Sequence, residues 1–236
     1  MKDHLTHTSP RVQDRNKPYT PAMPSDRMEN EPDTDFDLKQ NQEWVEKIFA
    51  KWKKSKEDVP EIIPLQIGTE NIITEKRYKY LDRCQEEDVC ICEMSQANAE
   101  QVERILSIAE ADPAGWRKTK LEDRHKMMYA AANNLAEMRG DLIGCMCAVT
   151  GKTVVEGDVE VSEGIDYARF YTTTMRTFSE LGDVSLTAKG TVLVISPWNF
   201  PCAIPIGGIV AGLAGGNTVI LKPATVAAPV ACLFAK

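Results

Sequence analysis

The sequence predicts an α/β protein in which a helical N-terminal part leads into the first strands of a parallel sheet. Two short apolar runs rich in β-branched residues, 191–196 and 218–221, are predicted to be buried strands. The glycine-rich apolar segment between them, 203–213, has the length of a crossover helix. Strand, helix and strand form the unit of Rossmann-like sheets, in which ligands bind beyond the carboxyl ends of the strands.

The composition is typical of a globular protein with a hydrophobic core. The 236 residues are 43% apolar and 27% charged. A net charge of −7 supplies no basic field, so a nucleic-acid partner is not expected. No apolar run reaches the about 18 residues of a membrane-spanning helix, and the N-terminus lacks the apolar stretch of a signal peptide. We therefore expect no membrane partner and a cytoplasmic location.

The seven cysteines predict neither a disulfide framework nor a metal site. Four of them form C-x-C pairs rather than C-x-x-C pairs, and no histidine lies at ligand spacing from either pair. We expect buried or half-buried reduced thiols. His4 and His7 could share a helical face, but they lie in a polar terminus that we expect to be mobile, so no metal is assigned to them.

The first two predicted segments are a polar arm or linker, residues 1–38, and an amphipathic docking helix within residues 39–60. The arm has several prolines and almost no apolar periodicity. In the helix, Trp44 and Trp52 belong to an apolar stripe that we expect to pack on a neighbouring domain. A basic helix on a membrane surface is the alternative, and Glu43 weakens it.

Residues 61–183 are predicted to be the helical N-terminal part of the main domain. Strands near 61–67 and 88–93 come first, and Ser95 is the predicted N-cap of a helix that stops before Asp112. Three further helices are predicted at 121–139 with Gly140 as its stop, at 141–149 ending at Gly151, and at 154–177. The residues predicted to be buried on the first and last helices are Val102, Ile105, Leu106, Ala109, Val159, Ile165, Phe170 and Tyr171.

Residues 184–236 are predicted to start the Rossmann-like sheet, with an additional strand at 184–187. The glycines between the two main strands suggest a phosphate loop, but they are not in the G-x-G-x-x-G register between strand and helix. Close packing of helix on sheet and a helix stop explain them better. The glycines concerned are Gly207, Gly208, Gly212, Gly215 and Gly216.

Asn199 and Lys222 are the candidate polar residues at the strand ends. A carboxamide fixed between Pro197 and Pro201 is well placed to donate to a developing oxyanion, although spacing alone equally allows an asparagine that stabilises the turn. Lys222 could contact a nucleotide ribose or phosphate, and a solvated lysine is the alternative that spacing alone favours. Cys202 follows the turn but has no paired base in the sequence.

These residues resemble the aldehyde dehydrogenase superfamily. The resemblance is carried by Ser196-Pro-Trp-Asn-Phe-Pro201 and by Gly216-Asn-Thr-Val-Ile-Leu-Lys-Pro-Ala224. Residues 151–171 are most similar to the glutamate-semialdehyde (1-pyrroline-5-carboxylate) dehydrogenase branch. Residues 29–36 resemble the linker that precedes this dehydrogenase in bifunctional proline utilisation A proteins. The resemblance covers about residues 27 to 236.

The resemblance implies an NAD site and part of an active site. Ile195, Ser196, Pro197 and Trp198, together with Lys222 on the adenosine ribose, are expected to line the cofactor. Asn199 is expected to stabilise the oxyanion of a thiohemiacetal. Glu160, or alternatively Glu163, matches an acidic helix position beside the aldehyde substrate. Thr225 stands where the family usually has an acidic residue bonded to a ribose hydroxyl, which leaves NAD against NADP open.

The function implied is that of the N-terminal portion of an NAD-dependent dehydrogenase, oxidising L-glutamate γ-semialdehyde to glutamate in proline catabolism. The full-length enzyme is expected to be a homo-oligomer. The family's nucleophilic cysteine and general-base glutamate lie C-terminal to position 236, so we expect this chain alone to be inactive. One alternative is another aldehyde dehydrogenase of the superfamily. The other is a non-catalytic module that docks on a full-length partner through the Trp44 and Trp52 helix.

Overall fold

The computed structural model describes residues 12–25, 27–85, 88–183 and 185–235, and it confirms the α/β prediction. The described part of the chain has seven α-helices: α1 (Lys39–Trp52), α2 (Ala99–Ala111), α3 (Leu121–Glu137), α4 (Arg139–Thr150), α5 (Val154–Ser179), α6 (Ala203–Ala214) and α7 (Ala228–Phe234). Its seven strands are β1 (Glu61–Ile63), β2 (Leu65–Ile67), β3 (Glu70–Ile72), β4 (Arg77–Leu81), β5 (Cys90–Ser95), β6 (Thr191–Ile195) and β7 (Thr218–Lys222). Two 3₁₀ turns lie at Trp116–Lys118 and Thr225–Ala227.

The strands form three small sheets. β5 is the centre of the first sheet, where it pairs in parallel with β1 and antiparallel with β4. β2 and β3 form an antiparallel hairpin, and its turn begins at Gly68, which has a left-handed φ of +59°. β6 and β7 form the predicted parallel pair, with Thr191 opposite Thr218 and Ile195 opposite Lys222. Their carboxyl ends therefore lie side by side at one edge.

Helices α4 and α5 form the centre of the hydrophobic core. Leu142, Ile143 and Met146 of α4 are 0% exposed, and so is Ile165 of α5. Burying a side chain of this size contributes about 1.5–3 kcal/mol. Helix α5 packs along α3, α4 and α6. It therefore joins the helical part of the molecule to the β6–β7 pair.

Helix α1 packs on α4 of the same chain. Of its predicted apolar stripe, Ile48 is buried, Trp44 and Trp52 are half-buried against the core, and Phe49 is exposed. Gly144 of α4 makes room for Trp52, because a Cβ at this position would overlap the indole ring. Both tryptophans thus contact the helical body of the chain itself.

Hydrogen bonds join residues 12–25 and 27–35 to this helical body. The Asn133 side chain of α3 makes two of them with the backbone of Ala22: its Oδ1 accepts from the N–H at 3.0 Å and its Nδ2 donates to the carbonyl at 3.0 Å. Asp158 of α5 accepts from the Thr34 N–H at 2.6 Å and from the Thr34 hydroxyl at 2.5 Å. The segment that was predicted to be a polar arm thus contains residues that form hydrogen bonds with the core helices.

A buried ion cluster, formed by Arg15, Glu31, Arg139, Asp158 and Arg169, lies behind this segment. Arg139 is 2% exposed and donates to Asp158 Oδ1 at 2.8 Å and to Glu31 Oε1 at 3.3 Å. Arg169 donates to Glu31 Oε2 at 3.1 Å, and Arg15 Nη1 lies 3.8 Å from Glu31 Oε1. Each charge has an opposite charge beside it, which offsets the cost of removing it from water. The cluster joins residues 15 and 31 to α4 and α5.

Two element boundaries before α2 differ from the prediction. The strand predicted at 61–67 is divided into β1 and β2 by Pro64, which has no N–H to donate to a ladder. The predicted N-cap Ser95 is the last residue of β5, and Asn98 caps α2 instead. Asn98 Oδ1 accepts from the Gln101 N–H at 2.8 Å, and the Gln101 side chain accepts from the Asn98 N–H at 2.8 Å. This reciprocal pair satisfies two free donors of the helix.

The boundary between α3 and α4 also differs from the prediction. Gly140 was expected to end the helix at 121–139, but α3 ends at Glu137 and Gly140 lies inside α4. A Cβ at Gly140 would lie 3.3 Å from Ile48 Cγ1, so this glycine permits the close packing of α1. The stop at Gly151 is confirmed, because this residue caps α4 with a left-handed φ of +72°.

The buried face of the helices was predicted correctly in part. Ile165 is fully buried and Tyr171 half-buried, as expected. Four other apolar residues predicted to be buried are largely exposed: Val102 (45%), Leu106 (40%), Val159 (48%) and Phe170 (47%). The buried face of α5 also includes small residues, among them Gly157, Gly164 and Ala168, which let neighbouring helices approach.

The segment before β6 has no strand in its described part. Residues 185–187 were predicted to belong to a strand at 184–187, but they have no regular structure, and residue 184 lies outside the described residues. In the described ranges, no helix combines the length and the apolar character that crossing a membrane requires.

Candidate active site

Helix α6 covers one face of the β6–β7 pair, and two glycines let it approach closely. A Cβ at Gly208 would lie 2.9 Å from Val194 Cγ1, and one at Gly212 would lie 2.8 Å from Val219 Cγ2. The predicted packing role of these glycines is therefore confirmed. The chain leaves the helix at Gly216, whose φ of +80° turns it into β7.

The opposite face of β6 is open. Leu193 is 56% exposed and Ile195 is 67% exposed, whereas Val194 faces α6 and is buried. The prediction that residues 191–196 form a buried strand is thus correct for only one face in the described residues, since only alternate side chains meet the helix. The pairing of the strands continues one residue beyond Ile195, because the Ser196 N–H donates to the Lys222 carbonyl at 3.4 Å.

A turn formed by residues 197–201 follows β6 and carries Asn199. Pro197, Trp198 and Asn199 are exposed, with Trp198 at 60%. Pro201 is buried and directly precedes Cys202, the N-cap of α6. The Asn199 carboxamide makes no hydrogen bond to any described residue, which leaves it able to donate to a ligand.

Lys222 and Thr225 lie at the neighbouring strand end. Lys222 is the exposed last residue of β7, directly opposite Ile195 in the parallel register. Thr225 is exposed and begins a 3₁₀ turn, which the Tyr80 hydroxyl fixes by donating to the Thr225 carbonyl at 2.6 Å. The ammonium of Lys222 and the hydroxyl of Thr225 make no hydrogen bond or ion pair with other described residues. The strand register thus brings both residues to the edge from which the Asn199 turn leaves.

Glu160 is buried beneath this turn. Its side chain is 1% exposed, and its Oε1 accepts from the N–H groups of Cys202 at 2.6 Å and Ala203 at 3.1 Å. These amides belong to the first turn of α6, where N–H groups lack partners within the helix and the helix dipole favours negative charge. The other oxygen, Oε2, lies 2.8 Å from Lys152 Nζ. Oε1 of the predicted substrate residue is therefore engaged by two amides, whereas Oε2 forms an ion pair with Lys152 but no hydrogen bond with a described residue.

Lys152 is a site residue that the sequence did not single out. Its side chain is 15% exposed and reaches Glu160 from the connection between α4 and α5. Its Nζ also lies 4.6 Å from the ring centroid of Phe200, the residue after Asn199, at the distance of a cation–π contact. The only sequence signal was its position directly after the helix-ending Gly151, which does not reveal a partner eight residues further on.

Glu163, the alternative acidic residue, bonds to an aromatic neighbour. The Tyr167 hydroxyl donates to Glu163 Oε1 at 2.6 Å. This hydrogen bond to the carboxylate is the main reason why the pKa of Tyr167 rises to about 12. The Tyr167 ring stacks on Tyr171 with 5.8 Å between centroids, and it lies 3.0 Å from where a Cβ of Gly207 would be. Glu163 and Tyr167 thus line the α5 side of the junction with α6.

The cysteines are free thiols, but they are not all buried or half-buried. Cys202 is 0% exposed, and burial raises the pKa of its thiol well above the ordinary value. A protonated thiol without access is not a nucleophile. Cys84 is exposed, which corrects the expectation of buried or half-buried thiols. The described residues hold no group of three metal-ligating side chains, and His4 and His7 lie outside these residues.

The cysteine environments predict a large difference in alkylation. We expect Cys84 to react with a thiol reagent faster than Cys202 in the folded chain by at least about 100-fold, because only an accessible thiolate attacks. Mass spectrometry of the labelled peptides over time measures both rates. Cys84→Ser should remove the fast phase, and denaturant should make the two rates similar. Equal rates in the folded chain would contradict the burial of Cys202.

One family model matches most of the chain. The model described as the aldehyde dehydrogenase family matches residues 73–236. Among curated relatives, the chain is 32% identical over 217 residues to a 1-pyrroline-5-carboxylate dehydrogenase of Geobacillus sp. (strain WCH70). That match covers 88% of this chain and 41% of the relative, so the chain spans about two fifths of the length of the curated relatives it matches.

Two of the solved structures with the same fold are a proline utilization A protein and a 1-pyrroline-5-carboxylate dehydrogenase. Proline utilization A from Bdellovibrio bacteriovorus, inactivated by N-propargylglycine, has a TM-score of 0.81 at 27% identity, covering 92% of this chain and 23% of that chain. A 1-pyrroline-5-carboxylate dehydrogenase from Thermus with bound NAD has a TM-score of 0.80 at 26% identity, covering 90% and 42%. The chain is thus similar to part of each of these proteins.

Proposed function

Since the chain belongs to the aldehyde dehydrogenase family, we propose that it is the N-terminal portion of an NAD-dependent L-glutamate γ-semialdehyde dehydrogenase of proline catabolism. The names of its relatives and of its structural neighbours support this substrate. On this proposal the complete enzyme is a cytoplasmic homo-oligomer, and it carries the nucleophilic cysteine and the general base beyond residue 236. The chain alone is then inactive.

The observation that carries the proposal is the parallel register of β6 and β7. It sets Ile195 opposite Lys222, so the Asn199 turn and the Lys222 ammonium leave the same sheet edge. This edge is where nucleotide ligands bind in parallel α/β sheets. A carboxamide donor and a cation with no other described partner thus lie beside one potential ligand site.

The side chains at this edge fit NAD as the cofactor. Lys222 can contact the adenosine ribose, and the Thr225 hydroxyl can donate to or accept from a ribose hydroxyl. The end of β6 supplies backbone at Ser196 and Pro197, the exposed apolar side chain of Ile195 and the exposed indole of Trp198. NAD, when bound, accepts a hydride from the substrate carbon. Thr225 is neutral where the family usually has a carboxylate, so this position repels the 2′-phosphate of NADP only weakly. The turnover test therefore compares NAD with NADP.

Asn199 is the residue of this chain that we assign to the chemistry. When a thiolate adds to the aldehyde, negative charge develops on the carbonyl oxygen, and the Asn199 Nδ2–H donates to that oxygen. A preorganised donor of this kind contributes about 2.7–4 kcal/mol to the transition state. The aldehyde would lie near Glu160 on the family pattern, but the Glu160 carboxylate already binds the first amides of α6 and Lys152. Its contact with substrate therefore stays a prediction.

Turnover tests the proposal directly. We expect the protein encoded by the complete reading frame to reduce NAD with L-glutamate γ-semialdehyde, followed as absorbance at 340 nm, and the 236-residue chain to show none. A panel of aldehydes without the amino-acid group is the matched control for substrate. A higher kcat/KM for one of those aldehydes would favour another member of the superfamily. Turnover by the 236-residue chain alone would contradict our placement of the nucleophile.

The same experiment addresses the non-catalytic alternative. A frame that ends at residue 236, with no turnover, together with co-purification of a full-length dehydrogenase, would favour a docking module. Trp44 and Trp52 pack on α4 and Gly144, so such a module would present another face to its partner.

A further inference from the structure

The turn that carries Asn199 is held at both of its ends. At its start, the Ser196 N–H donates to the Lys222 carbonyl at 3.4 Å, which ties the turn to the sheet. At its end, the N–H groups of Cys202 and Ala203 donate to Glu160 Oε1 at 2.6 and 3.1 Å. Between these anchors the Asn199 side chain makes no bond to a described residue. The position of the carboxamide therefore depends on how firmly each end is held.

The anchor at the end of the turn has a second part, formed by Lys152. Its Nζ lies 2.8 Å from Glu160 Oε2 and 4.6 Å from the Phe200 ring centroid. One ammonium thus contacts both the carboxylate that binds the start of α6 and the ring next to Asn199. The Glu160 side chain is 1% exposed, and removing a charge from water is costly unless an opposite charge and donors lie beside it; Lys152 supplies the opposite charge.

The backbone that carries Lys152 is fixed on both sides. Gly151 caps α4 with a left-handed φ of +72°, and its N–H donates to the Cys147 carbonyl. Thr153 caps α5, where its hydroxyl accepts from the Glu156 N–H and the Glu156 carboxylate accepts from the Thr153 N–H at 2.9 Å. Lys152 lies between two helix caps, so its ammonium is directed by rigid backbone and not by a flexible loop.

We propose that Lys152 and Glu160 are positioning residues, which hold Phe200 and the first amides of α6 so that Asn199 is fixed beyond the end of β6. Neither residue needs to touch the aldehyde. We call the contacts of Lys152 and Glu160 with Phe200 and with the Cys202 and Ala203 amides the clamp. The link from the clamp to catalysis depends on the proposed dehydrogenase function, whereas the clamp itself can be tested without turnover. The clamp also gives the carboxylate predicted to bind substrate a structural role, supported by the two amides on Oε1 and the ion pair on Oε2.

Amide hydrogen exchange in the 236-residue chain tests the clamp. Lys152→Met removes the charge but keeps an apolar stem against Phe200, and we expect it to speed exchange at the Cys202 and Ala203 amides by about 10-fold or more. The amide of Met146, in the core of α4, should be unchanged. Lys152→Arg should restore the slow exchange to within about 3-fold, because a guanidinium retains both contacts. Lys39→Met, at an exposed Lys39–Glu43 pair, is the matched control.

Kinetics of the complete enzyme test the link to Asn199. We expect Lys152→Met to lower kcat by about 10- to 100-fold, as misplacement of a catalytic group does, and to leave KM for NAD within about twofold. Lys152→Arg should recover most of the kcat, and Lys39→Met should not change it.

Each outcome separates the clamp from the proposed function. Unchanged exchange at Cys202 and Ala203, or an equal change at Met146, would overturn the clamp. Faster local exchange with unchanged kcat would overturn its positioning of Asn199. Faster local exchange in a complete protein that oxidises no aldehyde would support the clamp and contradict the proposed function instead.

Discussion

Asp158→Ala is expected to lower the free energy of unfolding by about 3–5 kcal/mol, the cost of removing one partner from a buried ion pair. Asp158 is 0% exposed and accepts from Arg139 Nη1 at 2.8 Å and from both the N–H and the hydroxyl of Thr34. The substitution leaves the guanidinium of Arg139 buried with Glu31 as its remaining carboxylate, at 3.3 Å. Because a domain of this size is stable by about 5–15 kcal/mol, the loss is a large fraction of the total.

Urea unfolding followed by fluorescence and circular dichroism measures this change. Asp123→Ala is the matched control, since Asp123 forms an exposed pair with Lys126 at 3.8 Å. Such a surface pair contributes about 0–1 kcal/mol. Asp158→Asn distinguishes charge from shape, because an amide keeps one acceptor for Thr34 but not the opposite charge for Arg139. A loss below about 1 kcal/mol in Asp158→Ala would contradict the assigned role of the ion cluster.

Asn199→Ala is expected to lower kcat of the complete enzyme by about 100- to 1000-fold, the effect of removing one oxyanion donor. The carboxamide is exposed and has no partner among the described residues, so its loss should disturb the fold little. Binding of NAD should also change little, because the interaction forms only as charge develops on the aldehyde oxygen. Steady-state kinetics with a titration of NAD separate these two quantities.

Two variants make this result specific. Asn71→Ala, at an exposed position of β3 far from the strand ends in sequence, is the matched control and should leave kcat unchanged. Asn199→Asp keeps the shape but replaces a donor with an anion, so its kcat should be no higher than that of Asn199→Ala. A decrease in kcat of less than about 3-fold for Asn199→Ala would exclude the oxyanion role.

Local sequence signals predicted the elements around the candidate site well. The β6–α6–β7 unit and the stop at Gly151 follow from β-branched runs and glycine, whose effects on the backbone are local. The prediction failed where two possible N-caps lie within a few residues of each other. Ser95 pairs as the last residue of β5, so Asn98 caps α2 instead. Burial on α5 was predicted only in part, because Gly164 and Ala168 face the adjoining helices together with Ile165, whereas Val159 and Phe170 are exposed.

Contacts between distant parts of the sequence were not predictable from periodicity. Charged residues such as Glu31 and Asp158 are usually exposed, and nothing near them in sequence indicates their buried partners in α4 and α5. Lys152 was missed for the same reason. Its contacts with Glu160 and Phe200 join three segments whose proximity is set by helix packing. The residues of the strand ends were identified from motif resemblance, and their assigned roles stay predictions.

The ion cluster also sets an order of events during synthesis. Glu31 is separated from Arg139 by 108 residues and from Arg169 by 138 residues. The ribosome adds about 5–20 residues per second, so Glu31 has been made for several seconds before either arginine exists. Until α4 and α5 have left the ribosome, residues 12–35 lack the partners that hold them. This segment is made before α4 and α5, so it waits several seconds for its native contacts, and a chaperone has that time to bind it.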